Sequence, residues 1–174
     1  GRHGSLNGCS TSFQNTFQVR QKKGVVTMYQ KILVPLDGSK TAECALPQVR
    51  NLAKAGLAGE IILLNVVEIP PEWVIEGFDF IALKNAHFNE ALDYLAGIEG
   101  GLVKEGFKVR SLVLEGRIAE TIVDYAKDNR IDLIAMTTQG YTGLKQVMFG
   151  SVALRVLHDA YTPILLVRPE PVKK

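Results

Sequence analysis

The sequence predicts a doubly wound α/β domain built around a parallel β-sheet. Short apolar runs alternate along the chain with stretches whose apolar residues have helical spacing. The apolar runs are continuous, which is typical of strands buried on both faces, as in parallel sheets. Each connection between two runs is long enough to hold the helix that a parallel crossover needs.

The first strand and the first helix are predicted on either side of a short polar turn. The strand is YQKILVPL, residues 29–36, and the turn that follows contains Asp37 and Ser39, with Ser39 as a plausible N-cap. Apolar residues at helical spacing then predict a helix that ends near Gly56. Pro47 lies inside this helix and should bend it, because proline has no backbone N–H donor.

The remaining elements repeat the alternation of strand and helix. Three glycines weaken the second half of the long second helix. In chain order, the predicted elements are EIILLNVVE as the second strand, residues 81–106 as the second helix, FKVRSLVLEG as the third strand, residues 117–130 as the third helix, DLIAMT as the fourth strand, VALRVLHDA as the fourth helix and PILLVRP as the fifth strand.

Length and composition predict one domain in a chain of 174 residues. Residues 1–27 are polar and unpatterned, lack the apolar core of a signal peptide, and are interpreted as an expression tag or disordered extension before a domain over 28–174. The net charge of +2, with scattered Lys and Arg, gives no support for nucleic-acid binding. No apolar run reaches the length of a membrane span. The two cysteines indicate no disulfide framework and weakly favour a reducing cytoplasm.

Ligands of doubly wound sheets bind at the carboxyl ends of the strands, near the point where the strand order reverses. Asp37 follows the first strand and either helps to cap the first helix or accepts a hydrogen bond from a ligand amine or hydroxyl. Val66 and Val67 end the second strand and offer either core packing or a surface for a flat ligand such as a nucleobase. Glu115 and Arg117, after the third strand, are more simply explained as solvated residues.

Gly150 and Ser151 stand where the fourth helix is predicted to begin. The N-terminus of a helix leaves backbone N–H groups unpaired and favours negative charge, so a phosphate could bind there. The serine could either cap the helix or bind a phosphate oxygen. The chain has no Walker motif, no GxGxxG after its first strand and no nucleophile elbow. Its histidines and carboxylates show no convincing metal spacing.

Four separated blocks, KILVPLDGS, LLNVVE, DLIAMTTQGYTGLKQVMFGSVALRVL and TPILLVRP, resemble the universal stress protein family in order and spacing. The resemblance runs from about Tyr29 to Pro169. It implies a Rossmann-like sheet of five parallel strands in the order 3-2-1-4-5, with helices on both faces, in a cytoplasmic stress-response protein. It also implies a homodimer through the last strand, Pro163–Arg168, whose apolar edge would otherwise be exposed.

The nucleotide-binding branch of that family implies that ATP lies across the carboxyl ends of strands one and four, with ADP or AMP as alternatives and Mg²⁺ as a possible companion. Its pattern is a glycine, two residues, a glycine, nine residues, a glycine, and then Ser or Thr. The first glycine of that pattern falls here on Thr137, where a positive φ would be strained. The cofactor-binding residues that the resemblance implies are Pro35, Leu36, Asp37, Val66, Met136, Thr137, Thr138, Gly140, Gly150, Ser151 and Val152.

Three functions therefore remain open. The first is a stress protein that binds an adenine nucleotide as a ligand or switch, with slow hydrolysis at most. The second, suggested by Thr137, is a nucleotide-independent dimer that works as an interaction module. The third is an ATP-using enzyme such as an adenylyl transferase. It is disfavoured because the sequence offers no dedicated general base and no basic clamp for a transferred group.

Overall fold

The computed structural model describes residues 27–69, 80–138 and 149–169, so the predicted extension lies outside it except for Thr27. The five strands are β1 (Tyr29–Pro35), β2 (Ala58–Val67), β3 (Val109–Glu115), β4 (Leu133–Thr137) and β5 (Ile164–Val167). The helices are α1 (Lys40–Glu43), α2 (Leu46–Lys54), α3 (Phe80–Lys104), α4 (Ile118–Asp128) and α5 (Ser151–Asp159). Among these described helices, none combines the length and the apolar character that crossing a membrane requires.

The five strands form one parallel sheet in the order β3-β2-β1-β4-β5, which confirms the predicted fold class and strand order. The central strand is β1, which pairs with β2 from Tyr29 to Pro35 and with β4 at Ile32 and Leu33. After β1 the chain moves outward through β2 to β3, and then crosses back to β4. The strand order therefore reverses between β1 and β4, where doubly wound sheets place their ligands.

Both faces of the sheet are covered, because successive side chains of a strand point to opposite faces. Ile32 and Val34 of β1 belong to a buried cluster that also contains side chains of α1, α2 and α3. Leu33, between them, belongs to a second buried cluster, which contains side chains of α4 and α5. The continuous apolar run of β1 is thus explained by a strand with no solvent-facing side.

The segment after β1 forms two short helices instead of the single bent helix that the sequence predicts. The first ends where the N–H of Cys44 donates to the Thr41 carbonyl at 3.1 Å and that of Ala45 to the Ala42 carbonyl at 3.3 Å. Pro47 then lies in the first turn of α2. Because a residue there has no helical hydrogen bond to lose, the proline starts a helix and does not bend one.

The long helix α3 continues without a break through Gly97, Gly100 and Gly101 to Lys104. Leu95 and Leu102 anchor this part of the helix, since both are fully buried in the first cluster. Tertiary burial therefore outweighs the weak helix propensity of the three glycines.

We predict opposite effects for two glycine-to-alanine substitutions. A Cβ at Gly59 in β2 would lie 2.7 Å from the backbone carbonyl oxygen of Gln30, whereas a Cβ at Gly97 would meet no atom within 4 Å. Gly59→Ala should therefore destabilise the fold by about 1–3 kcal/mol through overpacking. Gly97→Ala should stabilise it by about 1 kcal/mol through helix propensity. Urea unfolding measures both changes, and a shift of the same sign in the two variants would contradict this packing.

Candidate functional site

The turn after β1 is organised by two polar side chains. Asp37 is exposed, and its Oδ1 accepts hydrogen bonds from the backbone N–H and the hydroxyl of Ser39, at 3.0 and 2.6 Å. Ser39 Oγ in turn accepts from the N–H of Ala42 at 3.1 Å, which confirms Ser39 as the N-cap of α1. Asp37 thus holds Ser39 in place, and Ser39, not Asp37, caps the helix. Its carboxylate remains on the solvent side of the sheet edge.

Asn65, a residue that the sequence reasoning did not select, holds the peptide just before this turn. Its buried side-chain amide donates to the Leu36 carbonyl at 2.9 Å. The N–H of Leu36 donates to the Leu64 carbonyl at 2.8 Å, and Pro35 pairs with Leu64 in the sheet. The sequence could have indicated this residue, because Asn65 is the only polar side chain inside the apolar run IILLNVV.

Tyr94 of α3 also reaches this edge, although nothing local in the sequence indicates it. Its hydroxyl donates to Glu43 Oε1 at 3.4 Å. Burial, followed by the charges of Glu43 and Asp37, raises the pKa of Tyr94 well above its ordinary value. Like an ordinary tyrosine, Tyr94 is protonated at neutral pH, and the raised pKa keeps its hydroxyl a donor at more alkaline pH as well. Asp37 thus adds its negative charge to that of Glu43 around the Tyr94 hydroxyl.

Three apolar candidates lie on the same face of the sheet. Met136 is buried within the second cluster, while Val66 and Val152 are partly buried and pack against it. Met136 belongs to β4, Val66 to β2 and Val152 to α5, so three separate elements contribute apolar surface near the strand ends. Their assignment to a nucleotide stays a prediction.

Thr137 is the last residue of β4 and pairs with Val167 of β5. Its backbone is extended, as in the rest of the strand, so the strain considered for a positive φ at this position does not arise. The next residue, Thr138, donates its N–H to the Val167 carbonyl at 3.0 Å. The hydroxyl of Thr138 is buried and has no hydrogen-bond partner within the described part of the chain.

The sequence predicts unpaired backbone N–H groups at the start of α5, and the structure has them. The N–H of Gly150 is not one of them, because it is already bonded. The N–H of Gly150 donates to the Thr138 carbonyl at 2.6 Å. The first helical hydrogen bond runs from Leu154 to the Gly150 carbonyl, so the amides of Ser151, Val152 and Ala153 lack a partner within the helix. Gly150 occupies the N-cap position without a side-chain hydrogen bond, so the serine does not cap the helix.

The sheet therefore brings together most of the predicted site residues. Asp37 and Thr138 follow the neighbouring strands β1 and β4, and Val66 lies near the end of β2 on the other side of β1. Gly140 lies in the segment 139–148, outside the described residues. Over the described ranges, no group of three or more His, Cys, Asp and Glu side chains is arranged to hold a metal ion.

Comparison with known proteins identifies the family to which this fold belongs. A model described as the universal stress protein family matches residues 28–168. Universal stress protein MJ0577 of Methanocaldococcus jannaschii is 35% identical over 159 residues, which cover 81% of this chain and 96% of that protein. The solved structure of MJ0577 superposes with a TM-score of 0.72 at 38% identity, covering 83% of this chain and 99% of that one.

Two further solved structures extend the comparison. Universal stress protein UspA from Lactobacillus plantarum has a TM-score of 0.70 at 26% identity and covers 80% of this chain and 98% of its own. A universal stress protein family protein from Arabidopsis thaliana with AMP bound has a TM-score of 0.59 at 17% identity, and the match covers 81% of this chain and 92% of that one. At this low identity the likeness shows the fold alone. Because the family match spans residues 28–168 and the archaeal relative is aligned over nearly its whole length, this chain belongs to the universal stress protein family.

Proposed function

We propose that this chain is a cytoplasmic stress-response protein that binds ATP or another adenine nucleotide, as a ligand or switch, at the carboxyl edge of its sheet. The observation that carries the proposal is the meeting of three kinds of group around the strand reversal. They are the exposed carboxylate of Asp37, the partly buried apolar surface at Val66, and the backbone amides at the start of α5.

The adenosine end of the ligand would lie between β1 and β2. The Asp37 carboxylate is placed to accept a hydrogen bond from a ribose hydroxyl or a base amine, and Val66 offers apolar contact to the base. Pro35 and Leu36 support the same edge through β1, with their backbone held by Leu64 and Asn65. The Arabidopsis protein shows that this fold can hold AMP in another chain.

The phosphate end would lie at the start of α5. A helix dipole contributes only about 0.3–1 kcal/mol, whereas micromolar affinity needs about 8 kcal/mol. Several donors and the base contact must therefore act together. The proposed donors are the amides of Ser151 and Val152 and the hydroxyl of Thr138, and Gly140 is the proposed position of close approach. The extended backbone of Thr137 removes one objection to this function, namely the strain of a positive φ at that position.

The proposed ligand is ATP with or without Mg²⁺, with ADP or AMP as alternatives, and hydrolysis is expected to be slow at most. Phosphoryl transfer depends on metal ions and Arg or Lys donors that stabilise the developing charge. Arg117 and Arg155, which both pair with Glu120, are candidate donors of this kind, but the sequence offers no dedicated general base beside them.

We also propose a homodimer through residues 163–168. In the described sheet, β5 pairs with β4 on one side and has no strand on its other side.

The helix before β5 exposes apolar side chains. Leu154 and Leu157 of α5 are 56% and 44% exposed, and Tyr161 is fully exposed. Leu157 comes two residues after Arg155, about 200° around the helix, and Arg155 faces α4 through Glu120. Leu157 therefore faces away from α4, toward the open edge of β5. Antiparallel pairing of two such edges gives a two-fold dimer and covers the leucines.

We predict that Asp37→Asn weakens ATP binding about tenfold, since a hydrogen bond to a charged group contributes about 1.5–3 kcal/mol. The amide keeps an oxygen that can accept from Ser39, so the turn should stay intact. Calorimetric titration measures the affinity. Asp128→Asn, at the far end of α4, is the matched control and should bind as the parent does. No saturable heat with ATP, ADP or AMP at millimolar concentration would contradict the proposed function.

Thr138→Val tests the buried hydroxyl. An unsatisfied buried hydroxyl costs about 1–3 kcal/mol, so without nucleotide the variant should be at least as stable as the parent protein. With saturating ATP it should gain less in melting temperature, because a phosphate donor is lost. Differential scanning calorimetry with and without ATP separates the two effects. A variant that is destabilised without nucleotide yet keeps the full gain from ATP would remove Thr138 from the site.

Leu157→Glu should disrupt the dimer, because it places a charge in the proposed apolar interface. The matched control is Leu92→Glu on α3, where the leucine is 46% exposed, close to the 44% of Leu157. Solution scattering at micromolar concentration should give a dimer mass for the parent protein and for the control, and a monomer mass for Leu157→Glu. A monomeric parent protein would overturn the proposed dimer.

A further inference from the structure

Two arginines share one carboxylate across the start of α4 and the middle of α5. Arg117 Nη1 lies 3.2 Å from Glu120 Oε1, and Arg155 Nη2 lies 3.1 Å from the same oxygen. Arg155 Nε also lies 3.8 Å from Asp159 Oδ2. Two guanidinium groups and two carboxylates therefore meet here, and Arg117 and Arg155 share the oxygen of Glu120.

This cluster lies on the carboxyl side of the sheet. Arg117 is the N-cap of α4, directly after the turn that leaves β3, and Glu120 lies in the first turn of that helix. Arg155 comes four residues after Ser151, on the same side of α5 and about 6 Å along its axis. Long side chains of a helix tend to lean toward its N-terminus. Arg155 therefore stands about one helical turn from the amides at the start of α5, on the side of the helix that Ser151 shares.

The ion pairs in this cluster are easily exchanged. The side chains of Arg117 and Arg155 are 75% and 60% exposed, and that of Glu120 is 37% exposed. Ion pairs with this much solvent around them contribute little stability. A guanidinium carries five N–H donors, so each arginine can bind a phosphate while it remains near Glu120. Arginine binds phosphate with paired hydrogen bonds, which are stronger than a single contact with a carboxylate.

We infer that Arg155, with Arg117 beside it, is a specificity-determining residue that favours nucleotides with two or three phosphates over a monophosphate. The inference rests on the proposed function and deepens it. The amides of α5 receive the phosphate nearest the nucleoside, and a longer phosphate chain reaches the arginines. Glu120 orders the arginines when no nucleotide is bound, and its own negative charge opposes the distal phosphates.

The test compares the affinities of ATP and AMP by calorimetric titration in the full chain. Arg155→Gln should weaken ATP about tenfold and AMP less than twofold. Glu120→Gln should act in the opposite direction and tighten ATP about threefold, because it removes a negative charge and releases both arginines. A residue with a merely structural role would not give changes of opposite sign in these two variants.

The matched control is a second cluster in which two cations share one carboxylate. Arg50 lies 2.9 Å from Glu105 Oε1, and Lys54 lies 3.6 Å from Glu105 Oε2. Arg50→Gln changes the net charge by the same amount as Arg155→Gln but lies on α2, on the opposite face of the sheet. It should leave both affinities within twofold of the parent, which separates a local contact from a general effect of charge.

The outcomes distinguish the two proposals. If the parent protein binds ATP but Arg155→Gln leaves the ratio of ATP to AMP affinity unchanged, the inference is wrong and the proposed function stands. The same holds if Glu120→Gln weakens ATP as strongly as Arg155→Gln does, or if Arg50→Gln lowers the ratio equally. If the parent protein binds none of the nucleotides, both proposals fall. Urea unfolding of each variant confirms that the fold is retained.

Discussion

The parallel pairing of β1 between β2 and β4 is the constraint on which the rest of this structure depends. Ile32, Leu33 and Val34 of β1 are apolar because the middle of this strand is covered on both faces and lies between two paired strands, and polar residues stand on either side of that run. The chain reaches its two neighbours by crossovers in opposite directions. Such a reversal is where doubly wound sheets form a ligand crevice, and here it lies between the strand that leads to Asp37 and the strand that leads to Thr138.

The polar groups at this edge are held in place by hydrogen bonds within the fold. Asn65 fixes the peptide before the turn, and Asp37 fixes the cap of α1. On the other side, the carbonyl of Thr138 takes the Gly150 amide, which sets where α5 starts and which amides lack helical partners. The arginines on Glu120 extend the same edge toward α4. Recognition of a nucleotide would thus use groups whose positions follow from the fold itself.

Continuous apolar runs, helical spacing and cap residues were enough to predict the strands, the helices after them and the cap at Ser39, because these signals are local. The break at Cys44 and Ala45 was not predicted, since Pro47 is compatible with either a bent helix or a new one. Asn65, Tyr94 and the sharing of Glu120 could not be foreseen, because each joins segments far apart in sequence. The glycine pattern raised the prospect of a strained positive φ at Thr137, and the structure shows a strand backbone there instead; whether the residue admits a nucleotide stays a prediction.

The most direct test of the central proposal is an NMR titration of the isotopically labelled protein with ATP. The proposal predicts saturable amide shifts that cluster at Asp37, Val66, Thr138, Ser151 and Val152. Amides at the opposite edge, such as those of Ala58 and Val109, should stay unchanged. Shifts centred on that opposite edge, or no saturable shifts at millimolar ATP, would contradict the placement of a nucleotide site at the carboxyl ends of the strands.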